Sequence, residues 1–312
     1  MTKGEGASSG RPRCERGFAL LLVIWVVALL AVLAAGIAAD SSSEAVIARN
    51  RMDAAQARTL ADAGIALAIQ GILDPDPATR WPADGRVQRA SFAGGRIAVA
   101  LQDEGGKIDV NAAPLELIGG LADEFGVSAE GRAALLNGIA ARRAAAQSAA
   151  PPPAARFYAA AGRYATDIAS LPVADLSELR LLPGLPSAAY ERMVPYLTVF
   201  SGSATLNPLT ASRAALLAVP GISPQEVAFY VESRDQTAGG IEKPALSGVD
   251  RYVQVGALHA VTVTAQATAP SGASFSRQAV ILISPNLPQR PYRILSWRRT
   301  RETPQAAVAA AR

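Results

Sequence analysis

Cysteine and histidine, the side chains that most often serve as nucleophiles, bases and transition-metal ligands, are almost absent from this sequence. Cys14 and His259 are the only examples among 312 residues. This count excludes a Cys/His zinc site, a disulfide framework and a Cys–His catalytic pair. The only G-x-S-x-G match, residues 6–10, lies in the first ten residues ahead of any predicted strand, and no Walker A or dinucleotide-binding glycine motif occurs. We therefore expect a protein that is not an enzyme and has no assigned cofactor.

Two adjacent carboxylates, Asp103 and Glu104, remain as candidates for acid–base chemistry. They stand between the β-prone segments 96–102 and 107–111, and we predict a hairpin that turns at the Gly105-Gly106 pair. Adjacent residues of a strand point to opposite faces, so the two carboxylates are not expected to act on one substrate. We predict that they are solvated turn residues.

An uncharged run of 22 residues, Phe18 to Ala39, follows a short basic leader that ends at Gly17. At about 1.5 Å per residue a helix of this length spans roughly 33 Å, the thickness of a bilayer core. Arginines precede the run and acidic residues are the first charges after it, which predicts a cytoplasmic N-terminus. A cleavable secretory signal is the alternative, but its apolar run is shorter and ends at an A-x-A site that is missing here.

The junction Arg16-Gly17-Phe18 resembles the type III signal sequence of type IV pilins and pseudopilins. That resemblance implies that a prepilin peptidase cuts after Gly17 and N-methylates Phe18. Cleavage would also remove Cys14, leaving a chain without thiols that suits an oxidising periplasm. The resulting expectation is a single-pass inner-membrane protein with a periplasmic C-terminal part.

Helical periodicity continues well beyond the apolar run. Apolar residues recur every three or four positions in most of the segment up to Pro75; they are Ile47, Ala54, Ala57, Ala61, Ile65, Ala68 and Ile72. One helix of about 55 residues is predicted, half of it in lipid and half packed on a periplasmic domain. A membrane anchor followed by an unrelated surface helix fits the same periodicity.

Leu22 occupies the fifth position after the expected cleavage site, where pilins and most pseudopilins carry a glutamate. The segment 16–69, with its Arg- and Ala-rich stretch 49–64, is similar to the minor pseudopilin K family of type II secretion systems, which is defined by this missing glutamate. The segments DEGGKIDVNAA (103–113) and PYLTVFSGSATLNPLTASRAALLAVPGIS (195–223) also resemble that family. A pseudopilin without the carboxylate cannot recruit its neighbour's amine but can donate its own, which places it at the tip of a fibre.

The remaining sequence alternates between β-prone and helical segments, and 18% charged residues with 50% hydrophobic ones exclude a disordered chain. Strands are predicted at 258–268, 275–283 and 292–297. A helical repeat places Pro183-Gly184 and Pro220-Gly221 at equivalent positions 37 residues apart, with Asn111 and Asn207 as matching helix caps. We expect an α+β fold: a pilin-like long helix on a small antiparallel sheet, with an inserted helical domain resembling a sterile-alpha-motif or helix-hairpin-helix fold.

The expected organisation has five parts. They are a cleaved leader (1–17), a transmembrane and stem helix (18–72), a pilin-like α/β domain (73–111 and 250–298), an inserted helical domain (112–249) and a disordered tail (299–312). The resemblance implies a protein that caps the periplasmic pseudopilus and helps to initiate its assembly for export of folded proteins. Its implied partners are the minor pseudopilins I and J, pseudopilin H, the major pseudopilin, the prepilin peptidase and the inner-membrane assembly platform.

Two alternatives stay open at this point, a type IV pilus minor pilin and a membrane-anchored helix-hairpin-helix DNA-uptake receptor. Both predicted hairpins carry a net charge of −1, and Pro186 removes a backbone donor, so nucleic acid is not expected as a partner. Relatives of the pseudopilin family bind calcium through carboxylate-bearing loops. The segment 232–250, with Asp235 and Glu242, has suitable oxygen atoms, but solvated loops share that composition and we assign no ligand.

Overall fold

A computed structural model describes residues 15–148, 172–182, 184–236, 246, 248–284 and 291–304; within these ranges the side chains of 15–18, 36–43 and 235 are excepted. The chain divides into two compact units, residues 1–55 and 56–312. The described part of the first unit is entirely α-helical, and the second unit contains the end of that helix, all seven described strands and the remaining described helices.

Helix α1 runs without interruption from Glu15 to Ile72, 58 residues, which confirms the predicted long helix. Its second part buries a stripe on one side, and that stripe consists of Ala57, Leu60, Ala61, Ile65, Ala68 and Ile72. Ile47 and Ala54, which the periodicity placed on the same stripe, are exposed. Among the described residues, none of the helices is apolar over a sufficient length to cross a membrane.

Five antiparallel strands form the main sheet. Their bounds are β1 Asp84–Phe92, β2 Gly95–Asp103, β5 Ala260–Thr268, β6 Ser274–Ile283 and β7 Tyr292–Arg299. They lie side by side in the order β1-β2-β5-β6-β7. The α+β class is therefore confirmed, together with the predicted β5–β6 hairpin and the final strand. The sterile-alpha-motif-like detail of the insert is not confirmed.

The hairpin predicted at Gly105-Gly106 is wrong. Strand β2 instead pairs with β1 through the turn at Ala93-Gly94, where both residues adopt positive φ. Residues 104–106 form a 3-10 turn, and the Asp103 carboxylate caps it by accepting from the Gly105 N–H. The chain then leaves the sheet and forms β3, Ile108–Asp109, which pairs in parallel with β4, Leu197–Thr198. A side-chain cap ends the strand here, so the Gly-Gly pair does not reverse it.

One face of the main sheet packs against α1 and forms the sheet–stem cluster, defined here by the buried stripe of α1 and the inward residues of β2, β5 and β6. These inward residues are Ile97, Val99, Leu101, Val261, Val263, Ala265, Ala267, Ala279 and Ile281. The helix approaches closely because Gly64 lies over the strands: a Cβ there would be 2.8 Å from Ile97 Cγ2. Trp81 closes the end of the helix, its ring against Gly71.

A second set of buried residues, the helical cluster, occupies the region between β2 and β5 in sequence. Its helices are α2 Leu115–Glu124, α3 Ala129–Ser148, α4 Ser187–Met193, α5 Arg213–Leu217 and α6 Pro224–Gln236. Two 3-10 turns, 176–181 and 194–196, complete it. The predicted repeat is present, with Asp175 and Ser212 as equivalent caps, although its first copy begins with a 3-10 turn.

Candidate functional site

The three residues predicted to act in processing and assembly all lie on α1. Leu22 is 54% exposed, and the neighbouring apolar side chains from Leu20 to Leu33 are exposed as well. Gly17 and Phe18 fall within the helix, but their side chains are outside the described residues. The described apolar side chains form an exposed apolar surface on this helix.

Much of the segment 232–250, which was considered for calcium binding, lies outside the described residues. The Asp235 side chain and residues 237–245, which include Glu242, are not among them. The Glu232 carboxylate accepts a hydrogen bond from Gln236 on the same helix. Within the described ranges, no three His, Cys, Asp or Glu side chains are grouped so that they would hold a metal ion.

Three buried carboxylates stand where the helical cluster meets the main sheet, and the first of them is Asp103. Its side chain is 3% exposed, which corrects the prediction of a solvated turn residue. One carboxylate oxygen accepts from the Gly105 N–H at 2.8 Å. The other accepts from Asn207 Nδ2 and from Thr210 Oγ1, both at 2.9 Å. Burial raises the pKa of Asp103 even though these hydrogen bonds act in the opposite direction.

Glu104 is the second buried carboxylate, 2% exposed, and it joins three separate segments. It accepts a hydrogen bond from Thr198 Oγ1 in β4, from Thr262 Oγ1 in β5 at 2.6 Å, and from Lys107 Nζ at 2.5 Å. Thr198 belongs to the helical part and Thr262 to the main sheet. Because each partner stands on a different segment, the single carboxylate fixes the spacing between sheet and insert.

Asp109, the third, is 1% exposed and holds two loops together. Its Oδ1 accepts from the backbone N–H groups of Asn111 and Ala112, and its Oδ2 accepts from Ser201 Oγ and from Gly202 N at 2.8 Å. Burial raises the pKa of the Asp109 carboxyl against the effect of these donors.

Arg143 of α3 approaches the same place and donates to the Val110 and Ala113 carbonyls at 2.6 and 2.8 Å. Partial burial lowers the pKa of its guanidinium, and the charge of Asp109 acts against that shift. Arg143 therefore holds the start of α2 against α3.

All six carboxylate oxygens of this buried carboxylate junction accept hydrogen bonds from the protein itself. The junction therefore holds together segments that are far apart in the sequence. Asn111 differs from its predicted role as a helix cap, because its side chain exchanges two hydrogen bonds with the backbone of Val173. Asn207 does cap a helical turn: its Oδ1 accepts from the Leu209 N–H at 3.2 Å, while its Nδ2 donates to Asp103.

A cleft of about 450 Å³ opens beside the junction, between the insert and the face of the sheet opposite α1. Its sheet wall is polar and includes Thr264, Gln278 and Arg298, whereas Tyr196 and Phe200 contribute an apolar opposite wall. Arg298 is held in place by two hydrogen bonds to Gln278 Oε1, at 2.9 and 2.5 Å. Local sequence gave no sign of this cleft because its walls come from segments about a hundred residues apart.

Comparison with known proteins shows similarity in both sequence and fold. The chain is 26% identical over 275 residues to the type II secretion system protein K of Klebsiella pneumoniae, covering 76% of this chain and 82% of that protein. No family model matches the sequence.

The fold is similar to a chain in the crystal structure of the GspK-GspI-GspJ complex from the enterotoxigenic Escherichia coli type 2 secretion system. The TM-score is 0.51 at 16% identity, and the match covers 84% of this chain and 99% of that chain. The resemblance inferred from the N-terminal segment is thus confirmed: this chain is similar in sequence to type II secretion system protein K and shares the fold of a chain in that complex.

Proposed function

We propose that this chain is a minor pseudopilin of a type II protein secretion system, located at the tip of the periplasmic pseudopilus. In that position it initiates assembly of a fibre that exports folded proteins across the outer membrane. The observation that carries the proposal is the combination of an uninterrupted 58-residue helix, an antiparallel sheet packed on its second part, and similarity to protein K along three quarters of the chain.

The N-terminal segment would act as signal and anchor. Prepilin peptidase would remove residues 1–17 by cutting after Gly17 and would methylate Phe18. Residues 18–39 would then cross the inner membrane once, with the C-terminal part in the periplasm; this proposed span includes residues 36–39, whose side chains lie outside the described ones. The exposed apolar side chains of Leu20 to Leu33 support an environment of lipid or of other pseudopilin helices.

Leu22 supports the tip position because its side chain has no carboxylate. In a lipid environment a glutamate at this place could neutralise the α-amine of the neighbouring pseudopilin, and leucine cannot. The amine of Phe18 remains available to a glutamate of the pseudopilin below. Addition of further pseudopilins above this one would therefore lack an ion pair, whereas its own attachment would retain one.

Minor pseudopilins I and J are the proposed direct partners, because the similar fold comes from a complex that contains proteins with those names. Pseudopilin H, the major pseudopilin and the inner-membrane assembly platform would be further partners. We also propose the domain organisation given above, with residues 73–111 and 250–298 as the pilin-like domain and 112–249 as the insert. The expected start of a disordered tail at residue 299 is corrected, because Arg299 ends strand β7 and Glu302 accepts a hydrogen bond from Gln278. The role is structural, with no catalytic step.

The Leu22→Glu substitution tests the tip position in the native secretion system. We expect the variant to be incorporated below the tip or to add to itself, with secretion reduced at least about tenfold. Leu21→Glu is the matched control. It costs the same insertion energy, roughly 3 kcal/mol, but its carboxylate stands one position away from position 22, where the neighbour's amine would be neutralised. Unchanged incorporation and secretion with Leu22→Glu would contradict the tip argument.

Mass spectrometry of the purified native protein tests the processing step. The expected mature chain begins with N-methyl-phenylalanine at position 18. A chain that begins near residue 40, or one that retains residues 1–17, would contradict the proposal. Salt-sensitive DNA binding by the purified chain would instead favour the DNA-uptake receptor.

A further inference from the structure

The face of the sheet opposite α1, here called the outer face, is only partly covered. The insert covers the end of this face that carries Gln102 and Thr262, and the cleft lies along that boundary. The other end is open and forms a shallow depression of about 400 Å³. Strand register places five polar residues around it: Arg89, Ser91, Arg96, Gln266 and Thr268.

Arg89 and Arg96 stand out because their charges are uncompensated. Both are exposed, and no described residue forms a hydrogen bond or an ion pair with either guanidinium. Other cations of the sheet region have partners: Arg86 pairs with Asp84, and Lys107 with Glu104. The residues that line the open depression include no carboxylate. Two neighbouring guanidinium groups with free donors are well suited to bind carboxylates.

The open depression and the cleft occupy adjacent parts of β2 and β5, because Ala98 and Gln266 line the first and Ala100 and Thr264 line the second. Arg96 and Ala100 lie on the same face of β2, about 13 Å apart at the usual rise of a strand. Ala100 already belongs to the cleft, whose apolar wall includes Val194, Tyr196 and Phe200. The outer face therefore has a cationic half and a partly apolar half, separated by the length of about four extended residues.

We propose that this outer face binds an extended acidic segment of a partner protein, with carboxylates on Arg89 and Arg96 and apolar side chains in the cleft. A polypeptide supplies both chemistries within one short stretch. A polyphosphate or an acidic glycan supplies anions alone and leaves the Tyr196 and Phe200 wall unused. Neither arginine takes part in the proposed processing and assembly steps, so this binding does not depend on the proposed position in a pseudopilus.

A binding titration with the full chain in nonionic detergent tests the proposal. The probe is a labelled peptide whose first half is rich in glutamate and whose second half is rich in leucine. Binding should weaken at least about tenfold in the double variant Arg89→Gln/Arg96→Gln, because the charge-assisted hydrogen bonds of both guanidinium groups to the peptide carboxylates are lost. The matched control Arg49→Gln/Arg51→Gln removes the same charge from an exposed part of α1 and should change affinity less than about twofold.

Changes to the peptide separate the two halves of the surface. Replacing its glutamates by glutamine, or its leucines by serine, should each weaken binding about tenfold. Equal affinity of the glutamine peptide, or an equal loss in the control variant, would overturn the proposal. Tighter binding of inorganic polyphosphate than of the peptide, lost in Arg89→Gln/Arg96→Gln, would also overturn it by identifying a polyanion site. Both substitutions are at exposed positions, so circular dichroism should show an unchanged fold.

Discussion

The two buried clusters of this protein are organised in different ways. The sheet–stem cluster is a stripe of one helix on alternating strand residues, and small side chains such as Ala57, Ala61 and Ala265 let the layers approach closely. The helical cluster is assembled from short helices and 3-10 turns, and buried carboxylates connect its segments to each other and to the sheet. One depends on regular spacing of apolar residues, and the other on specific polar contacts.

Substitutions should therefore have effects of different size in the two clusters. A layer formed by side-chain packing can adjust through rotamers, so a misfit is shared among several neighbours. A cluster of short elements that touch through backbone atoms has less freedom, because a shift of one element displaces the hydrogen bonds of the next. We therefore expect matched changes to cost more in the helical cluster.

Gly120→Ala should produce the largest loss. Helix α2 crosses the end of α5 at this residue, and a Cβ there would lie 2.1 Å from the Ala218 carbonyl oxygen. The backbone must move, and we expect the free energy of unfolding to fall by about 3 kcal/mol, measured by chemical denaturation of the full chain in detergent.

The matching change in the sheet–stem cluster is Gly64→Ala. A Cβ there would meet the Ile97 Cγ2 methyl at 2.8 Å and the Ala265 Cβ at 3.1 Å, which are side-chain atoms rather than backbone, and alanine regains about 1 kcal/mol of helix propensity. We expect a net loss of about 1 kcal/mol. Gly256→Ala, with nothing within 4 Å, serves as the control and should change stability by less than about 0.5 kcal/mol. Equal losses at Gly120 and Gly64 would contradict the comparison.

Asp109→Asn should have the next largest effect, about 2 kcal/mol near neutral pH. The amide NH2 group that replaces one carboxylate oxygen cannot accept a hydrogen bond from the N–H and O–H donors that face it. The hydrogen bonds of that oxygen are therefore lost within a buried site. The exposed substitution Asp250→Asn is the control and should have little effect.

The stability difference between the wild type and Asp109→Asn should depend on pH in a defined direction. Because burial raises the pKa of Asp109 above its ordinary 3.8, the folded protein binds this proton more tightly than the unfolded chain does. The wild-type protein therefore gains stability from this group as pH falls through the raised pKa towards 3.8. The difference in unfolding free energy between wild type and Asp109→Asn should grow on acidification, by about 1.4 kcal/mol for each unit by which the pKa is raised. A difference that stays constant or shrinks over this range contradicts the assignment.

A loss as small as that of Gly64→Ala is expected at a polar contact of the sheet–stem cluster. Arg277 pairs with Asp62 of α1 at 2.8 Å and lies over the rings of Phe275 and Trp297. Arg277→Met keeps the packing but removes the charge, and we expect a loss of about 1 kcal/mol. Arg86→Met breaks the more exposed pair with Asp84 and should cost less than about 0.5 kcal/mol. A loss as large as that of Asp109→Asn would show that polar contacts matter equally in both clusters.

The same difference explains how much was predictable from the sequence. The length of α1, its stripe from Ala57 to Ile72 and the strands β5 to β7 follow from apolar periodicity, which is a local property. The repeat in the helical part was visible through its caps and Pro-Gly turns. Membrane insertion, processing at Gly17 and the role of Leu22 remain predictions.

The buried carboxylate junction was missed for a physical reason. Asp103 and Glu104 have the composition of an exposed turn, and their partners Asn207, Thr198 and Thr262 lie about 94 to 158 residues away. No local pattern reports such a contact. The Gly105-Gly106 pair was also misleading, because adjacent glycines are typical of a hairpin turn. Here Gly106 is required for another reason: a Cβ at this position would lie 2.5 Å from the Thr210 carbonyl oxygen.

The insert leaves the sheet from β2 and rejoins it at β5, and these strands are direct neighbours with Asp103 paired to Val261. Its entry and exit therefore stand side by side, the arrangement in which one domain can be exchanged for another without cutting the surrounding sheet. Such an exchange would leave Glu104 facing Thr262 without its Thr198 partner. A replacement domain must therefore supply its own hydroxyl or cation to that carboxylate. Glu104 thus limits which domains can take the place of the insert.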